Sequence, residues 1–294
     1  MARTARWATL ALLLVTATWG STFILIKDLL DRVPTLDFLA VRFTIAAVAM
    51  LIIAPRAVIK LDRATRWRGI IVGVVYGLAQ ILQTEGLAHT DASISGFVTG
   101  MYVVLTPVIA AVVLHQRIGA LSWCAVAIAT AGLAFLSLRG LSVGFGEAIT
   151  FASAILYATH IVLLSAWSTA RDAYGLAVVQ MAVIGVMCFA VTGWNGVIIP
   201  DRATDWLSVV YMAVVAGALA MLAQTWAQAH LPATRAAIIM TMEPVFAATF
   251  AIGLGDESLT VRVGVGGALV LAAMLIAELA PRRKIEAEVP HLAQ

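Results

Sequence analysis

Residues 206–229 read WLSVVYMAVVAGALAMLAQTWAQA, a run without one Asp, Glu, Lys or Arg. Wound as a helix at about 1.5 Å of rise per residue, it covers the approximately 30 Å hydrocarbon core of a bilayer. Five more charge-free stretches flank it: Trp7–Ile26, Ala92–Leu114, Ile118–Leu138, Ala148–Ala170 and Ala173–Pro200. Four others carry isolated charges. Leu36–Ala54 holds Arg42, Gly69–Ala88 holds Glu85, Ala233–Leu254 holds Glu243, and Leu259–Leu279 holds Arg262 and Glu278 near its ends. Helix is the state expected for all ten, because backbone facing lipid must find its hydrogen bonds within its own segment. Only 12% of the 294 residues are charged and 62% are hydrophobic, against about 25% charged in soluble domains. Such a chain cannot cover a water-exposed surface, and the prediction is an all-α integral membrane protein of ten transmembrane helices, numbered here as spans 1 to 10.

Arg3 and Arg6 precede the first apolar run as they would in a secretory signal. The run is too long for one, and Trp19-Gly20-Ser21 interrupts it without a cleavage site, so it is expected to stay as span 1. Cys124 and Cys188 fall inside apolar spans and read as packing residues rather than a disulfide or a metal site. The net charge of +3 requires no nucleic acid, because the cations belong to the loops.

Those loop cations set the expected orientation. The N-terminal side collects Arg3, Arg6, Arg56, Lys60, Arg63, Arg66, Arg68, Arg117, Arg171, Arg235, Arg282, Arg283 and Lys284. The opposite side has Lys27, Arg32, Arg139, Arg202 and Arg262, with Arg42 left inside span 2. The positive-inside rule then puts both termini in the cytoplasm of a bacterial-type inner membrane.

The two halves repeat each other. Gln83-Thr84, Ala88-His89 and Ala92-Ser93 return as Gln224-Thr225, Ala229-His230 and Ala233-Thr234; Trp67 matches Trp206, Leu39-Ala40-Val41 matches Leu176-Ala177-Val178, and Pro107-Val108 matches Pro244-Val245. Residues 7–139 and 147–279 are thus expected to form two five-helix repeats, with 280–294 a cytoplasmic tail. Five is odd, so parallel sequence repeats insert in opposite senses. Inverted repeats around a central cavity are a device of secondary transporters.

Further matches carry a family resemblance. Span 1 has Trp19-Gly20-Ser21-Thr22-Phe23 and closes with Lys27, span 2 has Arg42-Phe43, and span 4 has Leu105-Thr106-Pro107-Val108. Span 9 has Met242-Glu243-Pro244-Val245, followed by Gly255-Asp256-Glu257. The chain resembles the drug/metabolite transporter superfamily as two EamA-type repeats, and within it the YddG-type exporters of aromatic and other amino acids. It departs from the pattern at Gln116-Arg117, where the second repeat has Asp256-Glu257. The resemblance implies export, a cavity among spans 1, 3, 4, 6, 8 and 9, and peripheral spans 5 and 10.

Polar residues inside spans mark candidate cavity positions, because an amide or charge facing lipid is costly. Tyr76, Gln80, Gln83 and Thr84 share one face of span 3, and Gln224, Thr225 and Gln228 one face of span 8. The competing role for such amides is to tie helices together. Tyr157 and His160 share a face of span 6, Tyr102 comes from span 4, and these side chains suit a substrate with an apolar group and a zwitterionic head. Trp19, next to Gly20, reads as close helix packing. Pro107 and Pro244 are candidate hinges within spans 4 and 9. Gly264, Gly266, Gly267 and Ala268 read as a small-residue packing face. Glu243 is expected near the depth of His160, with His160 or a span 3 glutamine as its counterpart or, alternatively, bonded to the backbone that Pro244 leaves open.

A membrane-embedded enzyme would need an acid–base or metal constellation, and no two of the five histidines stand three or four residues apart. A channel would need a pore loop, and neither half offers one. The sequence therefore predicts a secondary transporter exporting small metabolites, amino acids foremost, without a cofactor, as a monomer or weak homodimer in the lipid bilayer.

Overall fold

A computed structural model describes residues 2–113, 119–139, 142–194, 196–231, 236, 239–240, 242–255 and 257–279. The pairs Gln116-Arg117 and Ala233-Thr234, together with Arg235, Asp256 and the tail 280–294, lie outside the described residues. In chain order the elements are α1 (Ala2–Leu30), α2 (Thr35–Ile53), α3 (Arg56–Ile59), α4 (Arg63–Ala88), α5 (Ala92–Gly100), α6 (Tyr102–Val113) and α7 (Ala120–Ser137). A two-stranded antiparallel pair, β1 (Leu138–Arg139) with β2 (Ser142–Val143), joins the halves. The second half has α8 (Phe145–Trp167), α9 (Ala173–Thr192), α10 (Ala203–Val210), a π-helical segment Tyr211–Leu219, α11 (Ala220–Gln228), α12 (Met242–Leu254) and α13 (Val261–Leu279).

Among the described residues, seven helical stretches are long and apolar enough to cross a membrane: 4–30, 35–53, 63–88, 92–112, 145–167, 173–192 and 203–228. Shorter apolar helices cover 123–136, 242–254 and 261–276. The outer surface is greasy, with Ile52, Val112, Val186, Leu207 and Leu254 all well exposed. Polar side chains such as Gln80, Gln180, Gln224, His160 and Glu243 are buried. This inside-out distribution belongs in lipid.

Local chemistry explains several boundaries. Asp62 caps α4 by accepting from the Thr65 amide at 2.7 Å, and that bond holds its carboxyl below the usual carboxylate range. The helix therefore starts at Arg63, six residues before the expected Gly69. Span 7 ends early: α9 stops at Thr192, and Gly196 adopts φ +82° in the segment leading to Pro200. The turn formers there outweigh the apolar composition that extended the expectation to Pro200. Span 4 is split at Met101, whose amide bonds Val98 three residues back rather than four.

The most extensive helix contacts run between halves: α4 against α8 and α9, α2 against α9, α1 and α5 against α12, and α7 against α13. Glycine permits the closest of these. A Cβ on Gly20 would lie 2.5 Å from Phe246 Cβ, and one on Gly96 would lie 2.7 Å from Ala247 Cβ. The α7–α13 pair closes similarly, with Gly266 against Leu136 and Gly132. Gly264 has open space around it and is not part of that contact.

One end of the bundle is laced by polar bonds between elements. Lys27 Nζ donates to the Thr90 carbonyl, Thr35 donates to Glu85 (2.7 Å), and Asp37 accepts from the Ile198 amide (3.1 Å). Glu257 accepts from the amides of Ala92 (2.6 Å) and Ser93 (3.1 Å) at the start of α5. Arg32 binds Asp205 through two nitrogens at 2.9 and 2.8 Å and also reaches Asp28 at 2.6 Å. These bonds, Asp205 first, raise the Arg32 guanidinium above its already high ordinary value.

Candidate functional site

A cavity of about 570 Å³, counting the space at its mouth, lies between the halves. Tyr76, Gln80, Gln83, Tyr102, Tyr157, His160, Gln224 and Glu243 all stand on its wall. Their elements are α4, α6, α8, α11 and α12, and α1 adds Trp19 and Thr22.

The wall is a hydrogen-bonded and aromatic network. Gln83 is the central link: its amide nitrogen donates to Thr99 Oγ1 (3.1 Å), and its oxygen accepts from the Tyr157 hydroxyl (2.6 Å). Gln80 donates to the Tyr76 hydroxyl at 3.0 Å. His160 Nε2 meets Gln180 Oε1 at 2.8 Å, and the Gln180 amide nitrogen is spent on the Leu176 carbonyl. The glutamine oxygen must therefore accept, which places the imidazole proton on Nε2. The His160 ring stacks on Tyr76 at 4.7 Å between centroids. Edge contacts then run from Phe43 to Tyr76 (6.4 Å), to Tyr157 (5.8 Å) and to Tyr102 (6.3 Å).

Several expectations are corrected. Gln228 is buried but not on the cavity wall. It lies one turn beyond Gln224, about 6 Å further along the axis, and neither atom of its amide has a described partner. Trp19 lines the cavity instead of only packing, and its indole donates to the Ala216 carbonyl at 2.8 Å. The helix contact expected of the Trp-Gly pair comes from Gly20. Glu243 meets neither His160 nor a span 3 glutamine: Oε2 takes the Tyr102 hydroxyl at 3.0 Å, which also reaches the Met240 carbonyl at 3.1 Å. Pro107 is inside α6. Pro244 is the third residue of α12, in the first turn, where a missing amide breaks no helical bond.

Arg42 of α2 joins the wall, although span 2 was not among the spans expected there. It is 3% exposed, with its guanidinium carbon 5.0 Å from the Phe43 ring centroid and 5.8 Å from that of Phe38. Its Nε donates to the Met212 carbonyl at 3.1 Å. A charge alone in an apolar span was the signal available for it. Thr99 carried no comparable mark; Gln180 did, as a lone amide in span 7, and was passed over. Among the described residues, no three His, Cys, Asp or Glu side chains converge as a metal site.

Residues 6–138 and 144–278 each match the EamA-like transporter family. The chain belongs to that family. This transporter is 30% identical over 274 residues to a protein of Archaeoglobus fulgidus named an uncharacterized transporter, covering 93% of this chain and 86% of the relative. A solved structure, described only as the crystal structure of a protein, superposes with a TM-score of 0.68 at 18% identity, covering 92% of the transporter and 96% of its own chain. That likeness concerns the fold alone. The cavity of the transporter thus lies between two EamA-like repeats, walled by both.

Proposed function

We propose that this chain is a secondary transporter that exports small metabolites, amino acids with aromatic and other neutral side chains foremost, by alternating access. The observation that carries the reading is the cavity between the two EamA-like repeats, its wall an aromatic row interleaved with glutamine amides, with Arg42 beside Phe43 at one end of the row and Glu243 beside Tyr102 at the other. Apolar side chains find rings there, and a zwitterionic head finds donors and acceptors. The cavity positions are Tyr76, Gln80, Gln83, Tyr102, Tyr157, His160, Gln224 and Glu243, with Trp19 and Arg42 added.

The proposal has ten crossings, repeats 7–139 and 147–279 in opposite orientations, and both termini in the cytoplasm. The laced end then faces away from the cytoplasm and is the closed gate of the alternating cycle, following the loop charges. The substrate class and the direction are taken from the motif resemblance to YddG-type exporters read in the sequence. Reconstitution into proteoliposomes tests the reading: labelled phenylalanine, tyrosine and leucine should exchange against unlabelled amino acids at rates above empty vesicles. Absence of exchange for every amino acid offered, from protein that elutes as a single folded species, overturns the substrate class. Cysteine labelling that puts the C-terminus outside overturns the orientation.

A further inference from the structure

A guanidinium has five N–H donors. In Arg42 the Nε–H is spent on the Met212 carbonyl, and the two terminal nitrogens, with four donors between them, have no hydrogen bond to any described residue. No carboxylate pairs with Arg42 among the described residues. The acid of the same wall, Glu243, is engaged by Tyr102 at the other end of the aromatic row Phe43–Tyr76–Tyr157–Tyr102. The cation is held in place by the Phe38 and Phe43 rings and by one backbone carbonyl, while it lines the cavity.

Buried charges are costly unless paired, and intramembrane arginines pair with carboxylates or saturate on carbonyls. Arg42 does neither fully. Its two terminal nitrogens form a rigid fork whose spacing matches the two oxygens of a carboxylate. We infer that Arg42 is the substrate's carboxylate anchor, so that the cavity selects molecules bearing a free carboxylate over their amides and over simple amines. The inference rests on the transport reading above and narrows it: amino acids and related organic acids are substrates, and cationic amines are not. The tyrosine rings beyond the fork take the side chain that the carboxylate end carries.

The test uses the full chain in detergent and isothermal titration with four probes of one shape: L-phenylalanine, L-phenylalaninamide, 3-phenylpropionate and phenethylamine. Wild type should bind the two carboxylates about ten- to a hundredfold more tightly than the amide and the amine, the range expected of one charge-assisted hydrogen-bonded pair. Arg42→Gln should bring the four affinities together, and Arg42→Lys should keep part of the preference because it keeps charge but not the fork. A purely structural Arg42 would change all four affinities alike. An Arg42→Gln protein that retains the full carboxylate preference overturns the inference. So does a wild type that binds amide or amine as well as acid, a result that needs no variant to fold and leaves the transport reading intact. Binding of none of the four, alongside transport failure for all amino acids, brings down the substrate class and this inference with it.

Discussion

Gln83 and Gln224 hold equivalent places in the two repeats and live differently. Gln83 is bonded at both ends of its amide, to Thr99 and Tyr157, whereas Gln224 Oε1 is buried without a described partner. The sequence marked both, because an amide in an apolar span is visible as such; which one is saturated depends on neighbours that only tertiary packing supplies. Arg42 shows the same division, since its charge was legible and its orientation was not. For Glu243 the geometry separates two roles. Gln at 243 keeps an oxygen for the Tyr102 hydroxyl, so Glu243→Gln should melt within about 1 kcal/mol of wild type and transport with an unchanged pH profile. Glu243→Ala leaves the buried Tyr102 hydroxyl with the Met240 carbonyl alone and empties the place of the carboxylate, and should cost about 1–3 kcal/mol. Thermal melting in detergent and proteoliposome flux at several pH values check both, and a flattened pH profile in the Gln variant assigns Glu243 a titrating role instead.

At the level of elements, helix existence followed from charge-free length, and the breaks in helices were harder to read. The π-helical segment Tyr211–Leu219 lies in the middle of the stretch that decides the fold, and nothing in its apolar composition announces it. Two of its backbone carbonyls serve the cavity wall: Ala216 receives Trp19, and Met212 receives Arg42. Glycine contacts were partly legible. Gly20 stood out beside Trp19, but that its partner is α12 required the fold. A methyl at Gly20 would meet Phe246 Cβ at 2.5 Å and the Ala247 backbone nitrogen at 2.8 Å, so backbone has to move. Gly20→Ala should therefore lower stability by about 1–3 kcal/mol. Gly253→Ala, with open space around it, should be neutral or gain up to about 1 kcal/mol through helix propensity. Paired melting curves decide.

Across the whole molecule, the division into two repeats was readable from collinear matches such as Gln83-Thr84 with Gln224-Thr225, while the way the repeats interleave was not. Every principal helix of the first half leans on the second. The lacing at one end follows from this, with Arg32 in the first half gripping Asp205 in the second. Arg32→Gln should weaken that end, and a cysteine placed at Thr90 should react faster with a membrane-impermeant thiol reagent than in the Arg32 background. Equal rates would mean that Asp205 does not hold the end closed.

The glycine face of α4, where Gly69 and Gly73 meet Val179 and Val183 of α9, has a consequence for the making of the protein. The ribosome finishes α4 at Ala88 and reaches α9 only at Ala173, and at about 5–20 residues per second that gap lasts roughly 4–17 s. For that interval a bare, narrow helix face waits in the membrane with lipid, or another nascent chain, as its only company. A message truncated before α8 should therefore yield a polypeptide that inserts and is then cleared by membrane proteases.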